Sequence, residues 1–141
     1  MWRNLKKFSK EEIDKFIELL DFSKVEGGLV PVITQDYQTN EVLMMAFANE
    51  EAVRDSLKTG IACYYSRSRN KLWKKGEESG HVQEIQKIFV DCYADTLLLK
   101  VKQKVAACHT GHYSCFHREF DDGSLKTRGE IVFNPEDIYK K

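Results

Sequence analysis

Val82-Gln83-Glu84-Ile85-Gln86-Lys87-Ile88-Phe89-Val90 runs straight into Asp91-Cys92-Tyr93-Ala94-Asp95, and an apolar run follows over residues 96–101. Val82, Glu84, Gln86 and Ile88 alternate with Gln83, Ile85, Lys87 and Phe89, which is the period of an extended chain with two unlike faces. The spacing predicts one long strand over residues 82–90 and a second over 96–101. If residues 91–95 stay extended, Asp91, Tyr93 and Asp95 share one face and Cys92 takes the other. One strand would then present oxygen ligands on one side and a thiolate on the opposite side.

Downstream lies Ala107-Cys108-His109-Thr110-Gly111-His112-Tyr113-Ser114-Cys115-Phe116, so three of the four cysteines fall in these two stretches. Thiolates are soft ligands suited to zinc, and paired carboxylates suit a hard cation such as magnesium. Thiols beside carboxylates, with a histidine between them, make the inventory of a metal-assisted hydrolase. Three protein ligands leave a position for water, whereas a fourth would close the site. Cys63, in an apolar run, reads as a buried small hydrophobe, and the same alternative stands for Cys92. His109 follows Cys108 directly and is the candidate for proton transfer near neutral pH; His81, His112 and His117 are less distinctive. A strand through Phe120, a turn at Asp121-Asp122-Gly123, a last strand around residues 131–133 and a short helix from Asn134-Pro135 complete the chain.

Upstream, Ser9-Lys10-Glu11-Glu12 is a capping-box pattern ahead of Ile13, Phe16, Ile17 and Leu20 at helical spacing. Gly27-Gly28 breaks the chain, and residues 29–33 read as a strand with Pro31 near a sheet edge. A turn over residues 36–40, an apolar strand over 42–48 and a helix capped by Asn49 and ended by Gly60 form a β-β-α unit. After a strand over residues 61–65, Ser66-Arg67-Ser68-Arg69 alternates hydroxyls with guanidinium groups able to hold a phosphate; a solvated loop is the alternative. Leu72-Trp73-Lys74-Lys75-Gly76-Glu77-Glu78-Ser79-Gly80 reads as a binding loop, with a plain surface hairpin as its alternative.

A chain of 141 residues fits one domain, and its 22 basic and 22 acidic residues balance. No strong pull toward nucleic acid or a membrane surface follows from that balance. With no membrane-length apolar run and no signal-peptide pattern, the expectation is a soluble, cytoplasmic protein whose cysteines are ligands or buried thiols.

Four of these stretches carry a resemblance: Val42-Leu43-Met44-Met45-Ala46-Phe47, Tyr65-Ser66-Arg67-Ser68-Arg69, residues 72–80 as quoted, and Ala107-Cys108-His109-Thr110-Gly111 through Ser114-Cys115-Phe116. In order, and without gaps from about residue 32 to about residue 118, they resemble the phosphoribosyl-AMP cyclohydrolases of histidine biosynthesis. The resemblance implies an α+β fold, mostly antiparallel β with a few short helices, in an intertwined homodimer with its zinc site at the subunit interface. It implies one zinc per subunit, held by Cys92 of one chain and by Cys108 and Cys115 of the other. It also implies magnesium at Asp91 and Asp95, with Tyr93 standing where the family usually has a third aspartate; a phenol is a poor magnesium ligand. The family usually has basic residues where His112 and Tyr113 stand.

The implied domain is single, over residues 1–141, with an N-terminal helical extension (1–22), a catalytic core (29–120) and a C-terminal strand and short helix (121–141). The expectation is the single-function form, with no fused pyrophosphohydrolase domain. The implied reaction opens the N1–C6 bond of 1-(5-phosphoribosyl)-AMP to a formimino-aminoimidazole carboxamide ribonucleotide. Zinc-bound hydroxide would attack C6, His109 would move the proton, and Ser66, Arg67, Ser68, Arg69, Trp73, Lys74, Lys75 and Gly76 would bind the substrate. The partners implied are this phosphorylated nucleotide and a second copy of the chain, with no nucleic acid and no membrane. The alternative is a zinc-stapled nucleotide binder that has lost catalysis, suggested by Tyr93 and by His112-Tyr113. A thiol redox protein is disfavoured because no C-x-x-C pair exists.

Overall fold

The structure, a computed structural model, describes residues 7–138. Residues 1–6 and 139–141, the outer ends of the N-terminal extension and of the C-terminal segment, lie outside the described residues. Helix α1 (Lys10–Leu19) begins with the capping box: the Glu12 amide donates to Ser9 Oγ (3.2 Å) and the Ser9 amide to Glu12 Oε1 (2.9 Å). Its Ile13 and Ile17 are buried, and Phe16 packs beside them. Helix α2 (Glu50–Thr59) is capped at one end by Asn49, whose Oδ1 accepts the Ala52 amide (2.8 Å). It stops at Gly60, where φ is +81° and the amide still reaches Ser56 O (2.9 Å). Ala52, Val53 and Leu57 of α2 join Ile13 and Ile17 in one core against the sheet.

The sheet has six strands, β1 (Val30–Asp36), β2 (Val42–Ala48), β3 (Cys63–Ser66), β4 (Lys71–Lys74), β5 (Gln83–Val90) and β6 (Leu97–Gln103), in the order β4-β3-β2-β1-β6-β5. Four of its five pairings are antiparallel and β1–β6 is parallel, so the α+β, mostly antiparallel expectation holds. Pro31 is not on a sheet edge as expected, because β1 is central. It is tolerated because the β6 ladder begins only at Val32, leaving Pro31 no hydrogen bond to donate on that side. The predicted alternation of residues 82–90 holds only in part. The register with β6 shifts between Ile85 and Lys87, so Ile85 and Ile88, three residues apart, face the same core partners, Val101 and Leu99. A second irregularity leaves Leu43 opposite no residue of β1, since Thr34 pairs Met44 and Gln35 pairs Val42.

The core side of the sheet carries Val30, Val32, Leu97, Leu99 and Val101, each worth about 1.5–3 kcal/mol when buried. A polar chain crosses it: Thr34 Oγ1 lies 2.7 Å from Tyr64 OH, Tyr64 OH donates to Gln83 Oε1 (2.5 Å) and Gln83 Nε2 to Gln103 Oε1 (2.8 Å). On the opposite face the register aligns Phe89, Leu98, Ile33 and Met45 in one apolar row across four strands. Phe89, Ile33 and Met45 of that row are exposed.

Two expectations for the loops change. Residues 91–95 are not extended but form the turn between β5 and β6, with the Ala94 amide bonded to Asp91 O (3.0 Å) and Ala94 at φ +58°. The predicted strand at 131–133 is reduced to one bridge, Ile131 to His112; the strand partner of β7 (Arg118–Asp121) is instead β8 (Ser124–Thr127). A short helix, α3 (Pro135–Ile138), follows with proline at its first position, as expected.

Candidate active site

Because β1 and β6 run parallel, the loop after β6 emerges beside the end of β1 and the start of β2. The strand irregularity there has a use. The Cys115 amide donates to the carbonyl of the unpaired Leu43 (2.7 Å), and Ser114 Oγ donates to Val42 O (2.6 Å). The loop closes on itself through the Ala107 amide to Tyr113 O (2.9 Å) and the Cys108 amide to His112 O (3.3 Å). Tyr113 OH donates to the Asp36 carboxylate at the end of β1. Burial pushes the Asp36 carboxyl up, but the bonds from Tyr113 and from the Gln38 and Thr39 amides outweigh it and hold the group below its ordinary range.

This folding makes Cys108 and Cys115 neighbours whose thiols interact electrostatically. Desolvation and then the neighbouring Cys108 push the Cys115 thiol up to about 11. Cys108 Sγ is also 3.0 Å from Thr110 Oγ1, which lies 3.2 Å from His112 Nδ1. His112 stacks on His117 at 3.9 Å between ring centroids.

A cleft of about 1100 Å³ opens between this loop and β4. Of the residues singled out in the sequence, Ser66, Arg69, Trp73, Lys75, Gly76, His109 and Cys115 line it. Lys75 Nζ donates to Ala107 O and lies 5.2 Å from the Trp73 ring centroid, so it ties the loop over residues 75–82, called the substrate loop after the sequence expectation, to the cysteine loop. Desolvation lowers its pKa, partly countered by Cys115 and Cys108. Gly76 is required there: at φ +87° a Cβ would stand 2.6 Å from the Val82 backbone nitrogen.

Arg67, Ser68 and Lys74 are not among the lining residues; the Arg67 guanidinium lies over the Phe47 ring, 4.1 Å from its centroid. Lys71, Pro135 and Glu136 were not singled out in the sequence, yet all three line the cleft, as do Glu77 and Glu78 of the predicted binding loop. Pro135 and Glu136 gave no local signal, because they arrive from outside the predicted core. Cys63 is buried, and its thiol is pushed up to about 12 mainly by desolvation, in keeping with a packing role.

Cys92, Asp91 and Asp95 are elsewhere. Their turn sits at the start of β6 and the cysteine loop beyond its end, roughly 20 Å along the strand at ~3.3 Å per residue. Among the described residues no three His, Cys, Asp or Glu side chains converge as a metal site. The two neighbouring thiols, Cys108 buried and Cys115 exposed, fit a soft cation that lacks only a further donor. The carboxylates do not fit magnesium as arranged. Asp95 Oδ2 holds Lys24 Nζ (3.0 Å), Asp91 Oδ1 accepts the Asp95 amide (3.0 Å), and Tyr93 turns its ring toward Lys24, 5.5 Å from the centroid. The hydrogen bond from Lys24 is the main cause holding the Asp95 carboxyl below its ordinary value.

The family model for phosphoribosyl-AMP cyclohydrolase matches residues 44–117, a span that holds most of these cleft residues. A phosphoribosyl-AMP cyclohydrolase of Syntrophotalea carbinolica is 54% identical over 123 residues, 86% of this chain and 98% of that protein. The enzyme of the same name from Chloroherpeton thalassium is 51% identical over 134 residues, 93% of this chain and 94% of its own. A histidine biosynthesis bifunctional protein of Thermoanaerobacter pseudethanolicus is 59% identical over 115 residues, 82% of this chain but only 53% of that longer protein. On the family match and on relatives this similar across most of its length, the chain belongs to the phosphoribosyl-AMP cyclohydrolase family and is an enzyme of that kind.

Proposed function

We propose that the cleft takes an adenine nucleotide carrying a second phosphoribosyl group on ring N1, and that water adds at C6 and the N1–C6 bond breaks, a step of histidine biosynthesis. The observation that carries this reading is one cleft with Cys115 and His109 on one wall and Ser66, Arg69, Lys71 and Lys75 on the other. Guanidinium, ammonium and hydroxyl groups on that second wall suit the two phosphates. His109 takes a proton from the attacking water and returns it at N1 as the ring opens. The exocyclic amine stays and becomes the carboxamide nitrogen.

Zinc, when bound, supplies the Lewis acidity that makes water a nucleophile near neutral pH. We assign it to Cys108 and Cys115 of one subunit and Cys92 of its partner, in a homodimer. Two features support the shared site: Cys92 lies at the far end of the sheet from the thiol pair, and the row Phe89, Leu98, Ile33 and Met45 offers an apolar face for a second copy. No step is assigned to magnesium, because Lys24 already neutralises Asp95.

Turnover of phosphoribosyl-AMP by metal-stripped protein, with and without added zinc, tests the reading. Ring opening restored by zinc is the expected result. Full turnover after stripping would remove zinc from the account, and no turnover with zinc restored would remove the activity.

A further inference from the structure

The cleft has a third wall that neither the cysteine loop nor β4 supplies. Residues 131–136 cross the cysteine loop at Gly111, where the Val132 amide donates to Gly111 O (2.7 Å) and Ile131 bridges His112. The crossing is too close for any side chain. At Gly111, φ is +99°, and a Cβ would stand 2.6 Å from Phe133 O and 2.7 Å from Ile131 Cγ2.

The ring of Phe133 meets His81 edge-on, at 4.7 Å between centroids and 84° between planes. His81 is buried and ends the substrate loop, its carbonyl carbon 2.7 Å from where a Gly76 Cβ would lie. Phe133 therefore touches both loops that carry the site. Gln103 makes the matching tie from beneath, with Nε2 donating to His81 O (3.1 Å) and Ala106 O (3.2 Å). After Phe133 the chain turns into α3 and adds Pro135 and Glu136 to the cleft wall. The family match ends at residue 117, so this wall comes from beyond the matched span.

We propose that residues 131–136 are a positioning element of the active site, with Phe133 as its anchor. By holding the Gly111 turn against His81, Phe133 fixes His109 relative to Lys75 and Gly76; as a statement about turnover, this rests on the function proposed above. A displacement of about 1 Å between reacting groups costs on the order of 100-fold in rate. Phe133→Ala in the zinc-loaded protein is thus expected to lower kcat, per zinc-loaded site, by about tenfold or more. KM should change by less than about threefold, because Arg69 and Lys71 are not held by this segment. Phe133→Tyr, which keeps the ring, should restore kcat.

Amide exchange in the same variants gives a readout independent of activity. In Phe133→Ala, residues 108–112 and 76–81 should both exchange faster. Wild-type protein without turnover would sink the functional reading and leave the exchange experiment to decide the coupling. Loosening confined to residues 131–136, or an unchanged kcat per site in a folded Phe133→Ala protein, would overturn the inference.

Discussion

Two turns carry the thiols assigned to zinc, and they are built differently. The turn at residues 107–115 is anchored on all sides: to Val42 and Leu43 of β2, to Asp36 of β1, to Lys75 of the substrate loop and to residues 131–133. The turn at residues 91–96 leaves Cys92 and Tyr93 exposed and is steadied mainly by Lys24 and by the Asp21 amide bonded to Ala94 O (2.7 Å). The two turns differ in how firmly they are anchored, yet each presents an exposed thiol, Cys115 on one and Cys92 on the other. Exposed thiols at opposite ends of one sheet are what a site completed between two copies requires.

The contrast can be broken first at the thiols. Cys115→Ser should lose bound zinc and turnover together while far-UV circular dichroism stays unchanged; zinc content equal to wild type would contradict the assignment. A backbone test comes next in size. Gly111→Ala meets backbone at 2.6 Å and should cost about 3 kcal/mol in denaturant unfolding. Gly80→Ala, also at positive φ but with nothing within 4 Å, should cost about 1 kcal/mol. Equal losses would show that the crossing at Gly111 is not tight.

Tyr113→Phe removes the bond to Asp36 and should cost about 2 kcal/mol at neutral pH. The Asp36 carboxyl lies below its ordinary value of 3.8, so its contribution is complete above that value and is lost as pH falls through the folded one. The variant should therefore show a flatter loss of stability on acidification, and an acid limb parallel to wild type would argue against the pair. The smallest effect belongs to the other turn. Tyr93→Asp with Lys24→Met should leave stability close to that of wild type, since Lys24 is half exposed in its ion pair, yet bind magnesium more tightly than wild type by calorimetry. Equal magnesium binding by both proteins would mean that Lys24 yields readily to the ion.

The sequence made local features legible. Ser9 with Glu12, and Asn49 with Gly60, define helix ends because each signal and its target lie within a few residues. The apolar run at residues 42–48 became β2 with the same bounds. What stayed hidden depends on partners far along the chain. The phase of β5 is reset by its pairing with β6, and the place of Pro31 is set by where that same strand begins to pair with β1. Ala94 adopts a left-handed conformation that alanine does not advertise. Within the cleft, Ser66, Arg69, Trp73, Lys75 and His109 were readable from residue chemistry. Pro135 and Glu136 were not, because only the crossing at Gly111 brings them there.

The shared zinc site is tested most directly by mixing subunits. Cys92→Ser and Cys108→Ser proteins, each expected to be free of zinc and inactive alone, are co-refolded in equal amounts. If the site joins two subunits, half of the dimers are mixed and each rebuilds one of its two sites, so turnover and zinc content should recover to about a quarter of wild type. A mixture that stays inactive, or a Cys92→Ser protein that keeps zinc by itself, would contradict the account.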